Sequence, residues 1–362
     1  MLTALLAALT TASAGTVLVD FLDIGQGDSI VIRGGGKTVL IDAGDRGSDT
    51  VRQLKQLQVE RLDLVVATHP HADHIGRMQD VLQTFEVGLY IDNGMTHTTA
   101  TYEAVMTALE ANGANYATAV AGRRINMGDE AILTVLNPGE TLLTGTRSDL
   151  NSNSVVVRLD HDDMSFLFTG DAEEPTEYRL MSRGMKPVTV LKVAHHGSSH
   201  STSPSFVTAT AAKYAVISVG ADNRYKHPSD ATIGRLTDNG AVVYRTDLSG
   251  NVRVYSDGKS VEFLEGALRD LGDGASLLTT PPVVDTAPPP PDKPEAPLSE
   301  PEPEVDQAAI DRAARKAAKA ETKRRKQAEK KRRKSDWPIE NQPPPKGRKL
   351  PTPLRVGGAS WS

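Results

Sequence analysis

The chain is 362 residues long with a formal net charge of −5, room for one large domain or two ordinary ones. It has no cysteine, which excludes disulfides, Cys-ligated zinc and a thiol nucleophile, and no run of eighteen apolar residues, which excludes a membrane-spanning helix. The charge is uneven: residues 306–334 hold 13 Lys and Arg against 4 Asp and Glu, so an acidic body precedes a basic tail.

In chain order, residues 1–14 read as a secretory signal peptide cut before Gly15, an apolar stretch closing in Ala12-Ser13-Ala14. This points to export, periplasmic or extracellular. No Lys or Arg precedes the apolar part, so an incomplete start, or a buried N-terminal helix in a cytoplasmic protein, stays the alternative. Residues 15–266 then carry a folded domain. Residues 17–24, 29–33 and 38–41 are three short strands separated by Gly25-Gln26-Gly27-Asp28 and Gly34-Gly35-Gly36-Lys37, both turn sequences, and form an antiparallel meander. The third ends in Asp42-Ala43-Gly44, where Asp42 is either a turn or cap residue or the partner of a metal-binding His.

A helix over residues 49–57 and an apolar strand over 62–67 lead into His69-Pro70-His71-Ala72-Asp73-His74. From Asp73 through Ile75, Met78, Val81 and Leu82 the apolar residues fall at helical spacing, with Arg77 as a helix surface charge. The cluster thus sits at the C-terminal end of a strand, where α/β sheets expose their ligand-binding edge. Three of the nine His in the chain lie here within six residues, beside an Asp. Neither solubility nor capping asks for that, whereas a metal site does. Imidazole and carboxylate together suit Zn, Mn or Fe rather than an oxygen-lined Mg or Ca site. In H-x-H-x-D-H, His69 and His71 can converge on one ion while Asp73 and His74 can turn toward a second.

Beyond the cluster come a strand at 87–91, a helix at 101–112, and strands at 131–136, 154–159 and 165–169, with His161 as a solvated turn residue between the last two. Asp171 follows Gly170 at a strand end, repeating the earlier logic. After a helix over 173–183, strand 188–193 runs into Ala194-His195-His196-Gly197, a second ligand cluster in which the sequence does not choose between His195 and His196. Strand 214–219, a loop with His227-Pro228-Ser229, helix 230–239 and strands 241–244 and 251–255 complete two similar halves, each delivering metal-type residues from strand ends. Residues 267–305 are a Pro-rich disordered linker. Residues 306–334 are an Ala, Lys and Arg-rich segment that is helical at most and has no face to bury. Residues 335–362 are a disordered tail.

His69-x-His71-x-Asp73-His74, the Ile41-Asp42-Ala43-Gly44 turn, Gly170-Asp171 and His195-His196-Gly197-Ser198 resemble the metallo-β-lactamase superfamily. The segment Phe21-Leu22-Asp23-Ile24-Gly25-Gln26-Gly27-Asp28, the runs Asn151-Ser152-Asn153-Ser154 and Lys192-Val193-Ala194-His195-His196, Ser218 to Asn223 with His227-Pro228-Ser229, and Tyr244-Arg245-Thr246-Asp247 resemble, in order, the soluble hydrolase domain of ComEC-type competence proteins. The resemblance covers residues 17–256 and leaves out that family's membrane channel. It implies an α/β fold, an αββα sandwich with helices outside two sheets and a metal centre at one sheet edge. It implies one or two divalent ions, Zn or Mn, held by His69, His71, Asp73, His74, Asp171, His195 or His196, with Asp171 bridging, and a water activated by the metal as nucleophile. Superfamily members normally supply a further His before the bridging Asp. Here Asn151-Ser152-Asn153-Ser154 takes that place, which favours a harder ion such as Mn²⁺.

The resemblance also implies catalytic roles for Asp73, His227 and Lys192, substrate contacts from Asn153, Ser154 and Ser198, and Asp42 behind the ligands. Lys192 is otherwise a solvated or snorkelling strand lysine, and His227 is a proton donor, a ligand or a plain loop residue. The expected activity is a metal-dependent phosphodiesterase or nuclease, with DNA or another polyanion (anionic lipid, cell-wall polymer) engaged by the basic tail. The alternatives are hydrolysis of a small ester, lactone or β-lactam, and a catalytically weak module that binds nucleic acid or envelope polymer. Asp171 suits hydrolases with a bridging carboxylate, and the absence of Cys argues against the zinc β-lactamases that use one.

Overall fold

A computed structural model describes residues 15–128 and 131–266 of the chain. The expected signal peptide (1–14), Pro-rich linker (267–305), basic segment (306–334) and tail (335–362) lie outside the described residues. The expected meander is present: β1 (Val17–Phe21), β2 (Ile30–Gly34) and β3 (Lys37–Ile41) pair antiparallel. Helix α1 (Thr50–Gln56) crosses to β4 (Arg61–Val66), which lies parallel to β3. Helices α2 (Ala72–Ile75) and α3 (Met78–Thr84) lead to β5 (Glu86–Asp92), and α4 (Ala100–Asn112) leads to β6 (Asn115–Thr118).

The second sheet begins with β7 (Arg124–Gly128), β8 (Ala131–Asn137), β9 (Val156–His161) and β10 (Met164–Phe168), all antiparallel. It continues in parallel with β11 (Val190–Lys192), β12 (Tyr214–Ile217) and β13 (Val242–Arg245). Short helix α5 (Asp149–Ser152) precedes β9, and α6 (Glu174–Ser182), α7 (Pro204–Thr210) and α8 (Asp230–Asp238) make the crossovers. After the turn α9 (Thr246–Ser249), β14 (Val252–Ser256) returns to pair with β1, and β15 (Val261–Glu265) closes that edge.

Period-2 alternation explains the layering. Val19, Phe21, Ile32 and Val39 of the first sheet meet Leu133, Val157, Phe166 and Phe168 of the second in one buried core. The opposite faces carry a second set of apolar residues. Leu40 and Val65 pack under Leu54, Val81 and Leu109 of the helices, and Leu167, Leu191 and Ile217 pack under Leu180, Phe206 and Leu236. Two sheets are therefore buried on both faces and the helices lie outside, the αββα arrangement expected.

Three expectations are corrected. The helix expected to run from Asp73 through Leu82 is two helices, because Arg77 N–H donates to the Gly44 carbonyl and a Cβ on Gly76 would stand 2.4 Å from Arg46 N. Arg77 is not a free surface charge: its Nε donates to the Ser48 carbonyl at 2.8 Å. His161 is not a solvated turn residue either. It ends β9, is 1 % exposed, and its Nδ1 lies 2.9 Å from Ser256 Oγ.

Candidate metal centre

The loops after β3, β4, β10 and β11 meet at one edge of the sandwich. Asp171 is buried there with its two oxygens facing different neighbours. Oδ1 is 3.2 Å from His74 Nε2 and 3.5 Å from His196 Nε2, and His196 Nε2 is 3.5 Å from Asp73 Oδ2. Oδ2 faces His195 Nε2 at 3.5 Å and His69 Nε2 at 3.9 Å, with His71 Nδ1 2.9 Å from that same His69 atom. Donors about 2.1 Å from one ion in a tetrahedral shell stand about 3.4 Å apart. The spacings around Oδ1 match that shell.

The buried atoms argue the same way. His74 Nε2, Asp171 Oδ1 and His196 Nε2 have no hydrogen-bond partner, although buried polar atoms are almost always satisfied. Asp73, His74, Asp171 and His196 each offer a ligand atom, and these lie within 4.8 Å of one another. The residues present therefore fit a divalent cation, and two nitrogen with two oxygen donors suit a transition metal. By position His196 groups with Asp73 and His74, while His195 faces the other oxygen of Asp171. Both take left-handed backbone conformations, φ 51° and 54°, followed by Gly197 at φ 82°. This lets adjacent imidazoles address one carboxylate.

Charge at the site follows burial and neighbours. His74 is raised well above its ordinary pKa and His196 to about 10: burial opposes this, but Asp171, with Asp42 beside His74 and Asp28 beside His196, outweighs it. Burial and the neighbouring His74 push His69 well below its ordinary value, and burial also lowers His71 and His195. Burial alone would raise the carboxyls of Asp73 and Asp171, yet the surrounding imidazoles hold both low. Carboxylates that draw protons onto buried imidazoles mark a place that demands positive charge.

Behind the ligands, Asp42 accepts from Thr68 N, Thr68 Oγ1 and His74 Nδ1, each at 2.7 Å. This places Asp42 to hold the proton on His74 Nδ1, so that Nε2, once deprotonated, would face an ion. Asp28, which sequence reasoning read as a turn residue, stands behind His196, 3.4 Å from Nδ1. Its signal was its place in the matched Gly25-Gln26-Gly27-Asp28 run.

Several expected roles are revised by placement. Lys192 is 0 % exposed. Its ammonium is ion-paired with Asp28 and donates to the Gly170 carbonyl at 3.1 Å, beneath the floor of the site and outside the cavity lining. Asn153 spends its carboxamide on the backbone of Leu143 and Asp149. Ser154 Oγ accepts from Asp171 N at 3.3 Å and lies 3.4 Å from His69 Nδ1, behind the ligands. Ser198 Oγ is buried and accepts from His200 N. The cavity over the ligands, about 360 Å³, is instead lined by Asn151, Gln26, Tyr225 and His227 together with His71 and Asp73. Burial, with His195 nearby, lowers His227 to about 4. A wider groove of about 660 Å³ lies beside β8 and β9, lined by Arg124, Arg158 and Lys186 among others. None of the His above line it.

The sequence profile of the Metallo-beta-lactamase superfamily matches residues 22–221. The chain is 30% identical over 261 residues to ComE operon protein 3 of Bacillus subtilis, covering 65% of this chain and 32% of that protein. It is 32% identical over 248 residues to Recombination protein 2 of Haemophilus influenzae, covering 67% and 29%. To competence protein ComA of Neisseria gonorrhoeae it is 31% identical over 233 residues, covering 63% and 30%. The chain thus spans about a third of the length of these curated relatives. Profile, sandwich and ligand cluster agree: the chain belongs to the metallo-beta-lactamase superfamily.

Proposed function

We propose that this metal-dependent hydrolase is a phosphodiesterase acting on nucleic acid. The observation that carries this is the Asp171 carboxylate, turned with Oδ1 toward Asp73, His74 and His196 and with Oδ2 toward His69 and His195. One such carboxylate between two donor sets suits a pair of ions, Zn or Mn, with His71 completing the set at His69. Ions so held would supply an activated water and would steady both the attacking and the leaving oxygen of a phosphodiester. The protein's own part is to hold the ligands. Asp42 orients His74, the Ser218 carbonyl with Asp28 beside it orients His196, Ser154 supports Asp171 and His69, and His227 offers a ring nitrogen to substrate from the cavity wall. With Asn151 in place of another imidazole at the cavity, oxygen donors gain weight, and that favours Mn²⁺. The words "competence" and "recombination" in the names of the relatives support DNA as the substrate class, and the basic segment 306–334 suits a polyanion.

The test is hydrolysis of single-stranded DNA and of bis-p-nitrophenyl phosphate by the full chain with Mn²⁺ or Zn²⁺, beside Asp73→Ala and Asp171→Ala. Metal-dependent cleavage is expected, reduced at least a hundredfold in both variants. Turnover of esters or lactones without phosphodiester cleavage would overturn the assignment in favour of a small-ester hydrolase. No turnover of any of these by metal-loaded protein would leave the polymer-binding reading.

A further inference from the structure

Tyr225 is out of place for a residue with only a packing role. It is 48% exposed, and of the four large apolar side chains exposed among the described residues it alone lines the metal cavity. Its loop is nevertheless held firmly. The Asn223 carboxamide donates to the carbonyls of Gly220 and His227 and accepts from the backbone N–H groups of Tyr225 and His227, so one side chain ties the loop at four points. The loop also anchors to the opposite wall, where Gly220 N–H donates to Gln26 Oε1 at 3.3 Å. The backbone that carries this aromatic ring is thus held in place, which lowers the ordering cost of binding against it.

The rings step outward from the metal ligands. His195 lies 5.8 Å from His227, and the His227 ring is stacked with Tyr225, centroids 5.9 Å apart and planes 21° apart. Over Tyr225 sits Arg224, its Cζ 4.8 Å from the ring centroid and its Nη2 2.6 Å from the phenolic oxygen. An exposed contact between a guanidinium and a ring is worth only about a two- to fivefold factor, whereas a base stacked on an aromatic side chain is worth about five- to 150-fold in affinity. A base could thus compete with the guanidinium for the ring face, which would leave Arg224 beside it to meet a neighbouring phosphate.

We propose that Tyr225 and Arg224 form a nucleotide-docking platform on the rim of the metal cavity, Tyr225 stacking a base next to the scissile phosphate of a single strand and Arg224 taking a flanking phosphate. The inference rests on the phosphodiesterase reading for its substrate but is tested by binding alone. Stacking is sequence-tolerant, because every base has a π face, so the platform selects unpaired strand and not sequence.

The experiment is fluorescence anisotropy of the full chain with a labelled single-stranded oligonucleotide and with the same oligonucleotide made abasic throughout, which keeps the phosphates and removes the bases. Wild-type protein is expected to prefer the intact strand about tenfold. Tyr225→Ala should lose that preference and Tyr225→Trp should restore it. Arg224→Ala should weaken both ligands alike and flatten the dependence on salt. Equal affinity of the wild type for intact and abasic strands, or an undiminished preference in Tyr225→Ala, would overturn the platform even if phosphodiester cleavage is found. Failure to cleave any phosphodiester would overturn the catalytic reading while the binding ratio still decides the platform.

Discussion

Asp28 and Asp42 do similar work by different means. Asp42 is a hydrogen-bond acceptor for one ligand histidine, and its loss leaves His74 free to change tautomer and tilt. Asp42→Ala should therefore weaken metal binding about 10- to 100-fold, read by calorimetric titration with Mn²⁺, with the fold retained. Asp28 is half of an ion pair sealed beneath the site. Asp28→Asn leaves the Lys192 ammonium buried without its counter-ion, and urea unfolding should show a loss of about 3–5 kcal/mol. Replacing both partners, Asp28→Asn with Lys192→Met, should recover part of that loss, since removing a whole buried pair costs less than breaking it.

At the scale of elements, the site is made by loops whose backbones touch. Gly27 stands at φ +129°, and a Cβ there would lie 2.1 Å from the Asp73 carbonyl oxygen, to which Asp28 N–H donates at 3.2 Å. Gly27→Ala must push the loop before β2 away from the ligand loop. A fall of about 1–3 kcal/mol in stability is expected from overpacking, together with weaker Mn²⁺ binding, measured by the same titrations. Elements legible in the sequence were those with apolar runs that end in chemistry, such as β4 before His69 and β10 before Asp171. Elements that escaped it have no such pattern. Edge strand β6 is mostly exposed and exists because it pairs with β5, and α7 is seven residues long, marked only by a Ser203 cap and Pro204. His161 was misread because a polar run around it looked like a turn, while the strand that buries it, β14, arrives from 95 residues away at Ser256.

For the whole molecule, the candidate metal centre joins the two halves. His69, His71, Asp73 and His74 follow β4 of the first sheet, and Asp171, His195 and His196 follow β10 and β11 of the second. An ion held between them binds only the assembled sandwich, so it stabilises the folded state by mass action. At free metal one hundred times Kd the gain is about 2.7 kcal/mol, a rise of about 5–11 °C in melting temperature for a domain of this size. Calorimetric scans with Mn²⁺ and then with chelator should show the rise and its reversal; an unchanged melting temperature would count against a resident ion.

Residue chemistry and local period are properties of short stretches, and these the sequence determined by itself: the superfamily, the two-sheet pattern, the candidate cluster His69, His71, Asp73, His74, and the strand ends that deliver Asp171 and the His195-His196 pair. The tertiary structure decided which atoms meet. It separated His195 from His196 across the oxygens of one carboxylate, withdrew Lys192, Asn153 and Ser198 from the cavity, and brought Asp28, Asn151 and Tyr225 to the site. Each of those outcomes depends on burial or on a partner distant in the chain, as Lys192 meets Asp28 only when two sheets close face to face. No local pattern of residues encodes such a meeting.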